Sequence, residues 1–151
     1  MTEHALAAAR GRRPWLALLG WIALAQLAGA IGSIASIHAR DFYAELVKPA
    51  WAPPGAVFGP VWITLYTLMG IAAWLVWRER ERVSVRTALT LFVVQLVINA
   101  GWSWAFFRLQ AGAISFAWIV VLGTFVVATT VAFARVRPAA AWLLAPYLAW
   151  V

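Results

Sequence analysis

Residues 109–134 read LQAGAISFAWIVVLGTFVVATTVAFA, 26 positions without a charged side chain, closed at either end by Arg108 and Arg135. As a helix such a run rises about 39 Å, enough to cross the roughly 30 Å of hydrocarbon in a bilayer. The rest of the chain repeats the pattern. All 17 formal charges (12 basic and 5 acidic) fall in short clusters, leaving 14–39, 49–77, 87–107 and 138–151 equally free of Asp, Glu, Lys and Arg. With 65% hydrophobic and 11% charged residues, the sequence is far below the roughly one quarter charged that a soluble domain needs to cover its surface. Its mean hydropathy is +0.85.

Inside lipid no water satisfies the backbone, so each run must form its own hydrogen bonds as a helix. A β-barrel is disfavoured, because its strands alternate polar and apolar residues over much shorter segments. The spacing predicts helices at about 15–37, 54–77, 87–107 and 111–133 in a single domain over 1–151, with no linker or tandem repeat. A last apolar segment, 141–151, has 11 residues and would rise only about 16 Å as a helix. It ends apolar, without a cap or flanking charge, and is expected to be the start of a fifth transmembrane helix, truncated in this sequence. The fold expected is therefore an all-α integral membrane protein, a five-transmembrane-helix bundle.

The net charge of +7 is a topology signal. With the N-terminus inside, Arg10, Arg12, Arg13, Arg78, Arg80, Arg82, Arg86, Arg135 and Arg137 lie on the inner side, and only Arg40, Lys48 and Arg108 lie outside. This bias follows the positive-inside rule, so lipid rather than nucleic acid is the expected partner. The N-terminal basic cluster followed by an apolar stretch resembles a signal peptide, but the stretch runs on through Ile37 and is read as an uncleaved first helix. Without cysteine there is neither a disulfide nor a thiolate metal site.

Three helix faces carry polar or aromatic groups. Gln26, Gly29, Ser33 and Ser36 share a face of the first helix, where close helix packing is the favoured reading and Gln26 alone is in reach of a ligand. Trp62, Tyr66 and Met69 share a face of the second. Gln95, Asn99, Trp102 and Phe106 share a face of the third, and Asn99 is the only asparagine in the chain, at mid-membrane depth. A primary amide there needs a partner, whether another helix or a ligand. Of the 11 tryptophans, Trp15, Trp74, Trp77 and Trp104 lie near expected membrane boundaries, as an aromatic belt would place them. Trp62 and Trp118 lie deeper. Pro53 and Pro54 suit the first turn of the second helix, and Pro60 should kink or loosen it. The outer connection 38–53, rich in aromatics and prolines, reads as a lid.

No acidic residue lies in any run and the only histidines are His4 and His38. Acid–base catalysis, a carboxylate proton relay and metal binding are therefore unsupported. The residue types point to binding by stacking and apolar enclosure, oriented by one or two amides, with no required cofactor.

Three stretches carry a resemblance. Trp51, Pro53, Pro54, Phe58, Pro60, Val61 and Trp62 follow the order W-x-P-P-x-x-x-F-x-P-V-W. Gln95, Leu96, Asn99 and Trp102 follow Q-L-x-x-N-x-x-W. Trp142, Pro146, Tyr147 and Trp150 follow W-x-x-x-P-Y-x-x-W. From about Asp41 onward the chain resembles the TspO/MBR family, the tryptophan-rich sensory proteins and the translocator protein or peripheral benzodiazepine receptor. That resemblance implies a five-helix bundle, often a homodimer, whose lidded pocket takes porphyrin, haem and isoquinoline or benzodiazepine ligands. It implies ligand roles for Tyr43, Trp62, Asn99, Trp102, Tyr147 and Trp150, in sensing, transfer or clearance of tetrapyrroles. Two alternatives remain at this level: light-dependent porphyrin degradation, for which indoles beside the excited ring would suffice, and small-molecule transport.

Overall fold

The computed structural model describes residues 14–151. His4, the basic cluster Arg10, Arg12 and Arg13, and the signal-like segment they belong to lie outside the described residues. Among the described residues there are six α-helices and no strand. α1 is Pro14–Ala35, α2 is Ala39–Glu45, α3 is Gly55–Arg78, α4 is Arg86–Ser103, α5 is Gly112–Val136 and α6 is Pro138–Trp150. The expected boundaries shift by one to three residues for the first, second and fourth spans. The third changes character, because its regular helix stops at Ser103 and a π-helical turn, Trp104–Arg108, completes it. The amide of Leu109 closes that turn on the Trp104 carbonyl at 3.0 Å, and Gln110 then takes a positive φ of 51° to reverse the chain.

The protein is a membrane protein: α1, α3, α4 with its π-turn, and α5 are each long and apolar enough to cross a bilayer. α6 has 13 residues, short of that length. It is nevertheless part of the bundle, packed between α3 and α5, while α1 lies between α3 and α4 and α4 lies against α5. The helices thus close a ring in the order α1, α3, α6, α5, α4. α3 and α4 are the most enclosed of the four spans, α3 with Leu65, Tyr66, Met69, Ala72, Ala73 and Val76 buried. Most of α1 faces outward, including Leu19, Leu27 and Ile31, as a helix apolar on all sides does in lipid.

Small residues set the closest approaches. A Cβ on Gly70 would lie 2.5 Å from the Ile22 Cα, so α1 and α3 touch there backbone to backbone. Nearer the end that carries α2, Gly29 leaves room for the Tyr66 ring, which a Cβ would meet at 2.4 Å. Gln26 donates to the Ile63 carbonyl and to Thr67 Oγ1, both at 3.0 Å, which fixes it as a bond between α1 and α3. Ser33 and Ser36 turn back on their own helix, bonding the carbonyls of Ala30 and Ser33. Pro60 is held within α3, where Thr64 donates to its carbonyl at 2.9 Å.

The two ends of the ring differ. At one, Arg137 bonds Glu79 at 3.0 Å, bringing the link between α5 and α6 beside the loop that follows α3. At the other, α2 and the segment 46–54 fold over the bundle beside the π-turn. The half of the core near the first end is apolar, built on Phe92, which packs 5.8 Å from Phe133 and 6.0 Å from Trp21.

Candidate functional site

The half of the core under α2 is built differently. Tyr66 on α3 donates to Asn99 Oδ1 on α4 at 2.6 Å, and Asn99 Nδ2 donates to the Tyr147 hydroxyl on α6 at 2.8 Å. Tyr147 donates in turn to Gln95 Oε1 at 2.8 Å, and Gln95 Nε2 reaches Met69 Sδ at 3.7 Å. All five side chains are buried. This chain of bonds crosses three helices without a formal charge, the form in which polar groups are tolerated at membrane depth. Spacing explains the assembly. Gln95 and Asn99 stand one turn apart on α4, and Tyr66 and Met69 stand on one face of α3.

Above this layer lie aromatic rings. Trp62 stacks on Tyr66, with centroids 5.4 Å apart and planes 30° from parallel, and meets Tyr147 edge-on at 6.1 Å. One indole therefore touches both phenols of the hydrogen-bonded chain. Phe58, one turn before Trp62, packs edge-on to Trp150 at 5.7 Å and to Tyr43 at 5.4 Å. Such spacings are those of favourable aromatic contact. Tyr43 is the point where the lid closes on the bundle. Its hydroxyl donates to the Pro53 carbonyl at 2.9 Å, its own carbonyl accepts from Lys48 Nζ, and the Lys48 ammonium sits 4.4 Å from the ring centroid. α2 itself has no buried residue, so the lid rests on these few contacts.

The structure thus gathers one assembly at this end of the bundle in two contact groups: Trp62, Asn99 and Tyr147 joined through Tyr66, and Tyr43 and Trp150 meeting at Phe58, one turn from Trp62 on α3. It places Trp102 elsewhere. Trp102 stacks almost parallel on Phe106, 5.0 Å away at 9°, and its Nε1 donates to the Ser115 carbonyl at 3.0 Å, tying α4 to α5. This second aromatic group includes Phe107 and, through a 5.6 Å contact with Phe106, Phe42 of the lid. Adjacent residues of α2, Phe42 and Tyr43, therefore seat the lid on two separate aromatic groups. Three members of the assembly, Tyr66, Gln95 and Phe58, were visible in the sequence on helix faces or in a motif but not as site residues. Scarcity could have marked Tyr66: the chain has three tyrosines, and all three are in the assembly.

Indole stitching explains other tryptophans. Trp74 donates to the Pro14 carbonyl at 2.8 Å, Trp104 to Ile31 at 3.1 Å and Trp118 to Ile98 at 2.9 Å. Each joins two helices. Among the described residues no group of His, Cys, Asp and Glu is arranged to hold a metal ion.

Comparison with known proteins gives a consistent result. The sequence pattern described as the TspO/MBR family matches residues 12–151. A tryptophan-rich protein TspO of Chlorobaculum tepidum is 44% identical over 114 residues, 73% of this chain and 70% of that protein. A human translocator protein is 39% identical over 142 residues, 91% of this chain and 83% of its own length. A tryptophan-rich sensory protein of Cereibacter sphaeroides is 32% identical over 136 residues, 90% of this chain and 83% of that protein.

Proposed function

The chain belongs to the TspO/MBR family, and from that premise we propose that it binds a porphyrin- or haem-type tetrapyrrole between the lid and the buried tyrosine–amide chain. In this reading α6 serves as the fifth membrane helix of the bundle. The observation that carries it is the double contact of Trp62, which lies on Tyr66 and against Tyr147. A flat, electron-rich surface is thereby fixed from below by Asn99, which is bonded to both phenols. Such a floor accepts a planar apolar ring by stacking and offers hydroxyl and amide groups to its polar edge.

A ligand cannot enter while the rings touch one another. It must part Tyr43 from Phe58, and Phe58 from Trp150, as the lid swings away. Those contacts, the Tyr43–Pro53 bond and the Phe42–Phe106 contact are the fastening. Trp102, Phe106 and Phe107 form a second wall under the same lid, reached once Phe42 lifts. In this reading the ligand is held as cargo or signal; light-dependent degradation, which needs only indoles beside the ring, is the competing outcome that illumination separates from binding.

The loop after α3 and the link between α5 and α6, rich in arginine, would face the inner side with the N-terminus. Their contact through Arg137 and Glu79 supports a shared side. A second copy of the chain, the partner that the resemblance implies, would share the outward apolar faces of α1 and α5 with lipid.

Titration of the full chain in detergent with protoporphyrin, followed by tryptophan quenching, tests the reading. Saturation at one equivalent per chain, with the Soret band unchanged under illumination, is the expected result. Linear, non-saturating quenching would refute a specific site, and bleaching only in the presence of protein would replace binding by degradation.

A further inference from the structure

A separate cleft opens on the side of the bundle at the lid end, lined by the last turn of α1, the start of the lid and the π-turn. Its volume is about 370 Å³, and its walls include Ile34, Ile37, His38, Phe107, Arg108 and Gln110. The cleft borders the lid through Phe42 and the second aromatic group through Phe107, but none of its residues belongs to the Tyr66–Asn99–Tyr147 assembly. We infer that this cleft binds the phosphate headgroup and upper acyl chain of an anionic phospholipid.

Composition and position lead to this occupant. One part of the lining is apolar and outward: Ile34, on the last turn of α1, is 54% exposed, and Ile37, in the turn that follows it, is 67% exposed. The other part brings two basic side chains and a primary amide, His38, Arg108 and Gln110, to the end of the spans, the depth of lipid headgroups. Arg108 is in no ion pair among the described residues. A guanidinium offers a forked set of donors that matches a phosphate diester and stays charged at any working pH. Local geometry makes the opening. The π-turn widens the end of α4, a distortion frequent at functional positions, and Gln110 adopts the left-handed conformation uncommon for a residue with a side chain. Trp104, bonded to the Ile31 carbonyl, fastens that turn to α1 and so holds two walls together.

Native mass spectrometry of the full chain in detergent tests the assignment, with phosphatidylglycerol, phosphatidylcholine and inorganic phosphate as separate probes. One phosphatidylglycerol should bind in preference to phosphatidylcholine and survive excess phosphate. Arg108→Gln should weaken it about tenfold, the worth of a charge-assisted contact. Ile37→Glu, which sets a carboxylate on the exposed rim, should do the same without touching the core. Arg86→Gln, at the opposite end of α4, should leave binding unchanged. Equal binding of the two lipids, displacement by inorganic phosphate alone, or indifference to both cleft substitutions would each overturn the inference.

Discussion

Tyr66 and Asn99, 33 residues apart in sequence, meet in a buried 2.6 Å hydrogen bond, and the same asparagine holds Tyr147 from its other side. Each of the three belongs to a different helix. Asn99 is thus the link that closes α3, α4 and α6 around one point. Asn99→Leu removes it, leaving the Tyr66 hydroxyl without its acceptor and the Tyr147 hydroxyl with Gln95 alone. A loss of about 1–3 kcal/mol is expected for orphaned buried polar groups, read as a lower unfolding temperature in detergent. Tyr66→Phe deletes one donor and should cost less. If Asn99→Leu melts with the parent chain, the hydroxyls have other partners and the network is misassigned.

Gly29→Ala should disturb the site from outside it. The added methyl would sit 2.4 Å from the Tyr66 ring, which the Asn99 bond and Trp62 stacking hold in place. Overpacking of this kind costs about 1–3 kcal/mol. Gly59→Ala, with nothing within 4 Å of the new methyl, is the matched control and should lie close to the parent. Thermal melts of the two variants decide it, and equal stability would mean that the α1–α3 contact is looser than described.

The lid should open more readily when Tyr43 loses its hydroxyl. Tyr43→Phe keeps the ring contact with Phe58 but deletes the 2.9 Å bond to the Pro53 carbonyl, worth about 1 kcal/mol. Stopped-flow dissociation of bound porphyrin should speed up while the affinity of the closed site changes less. Unchanged dissociation would show that the lid does not limit exchange.

Topology can be tested without removing any native thiol, because the chain has no cysteine. Cysteines placed at Ala44, on α2, and at Ser84, in the loop after α3, should react with an impermeant maleimide from opposite sides of the membrane. Labelling from one side would place α3 wrongly.

The membrane class and the four long helices were legible because the charge-free runs are long, and lipid leaves the backbone no alternative to helix. The pairing of Gln95 with Asn99, and of Trp62 with Tyr66, was legible for the simpler reason that residues three or four apart share a face. Two things were not. Periodicity carries no sign of a π-turn, so Phe106 appeared to continue the face of Gln95 and Asn99 although it lies in that turn. Nor does spacing show that Trp102, on the regular helix with Asn99, has its indole bonded to the Ser115 carbonyl and its ring stacked on Phe106. The partners of Asn99 were also hidden, since which helices face each other depends on ring order, and a lone asparagine fits a ligand and a pair of tyrosines equally well. Likewise Gln26 could reach a ligand by position, and only the approach of α3 shows its amide taken up by Ile63 and Thr67.

The central claim, that Trp62 and the tyrosine–amide chain form the floor of a tetrapyrrole site, is tested most directly by comparing Trp62→Ala with Trp77→Ala. Both remove an indole from α3. Trp62 lies on Tyr66 and Tyr147, whereas Trp77 lies near the far end of the helix under the Arg80 guanidinium, 3.5 Å from its ring centroid. Protoporphyrin affinity, measured by quenching of the remaining tryptophans, should fall about fivefold or more for Trp62→Ala, the equivalent of about 1 kcal/mol of lost stacking. It should stay at the parent value for Trp77→Ala. Equal affinities for the two folded variants would contradict the account and move the ligand away from this floor.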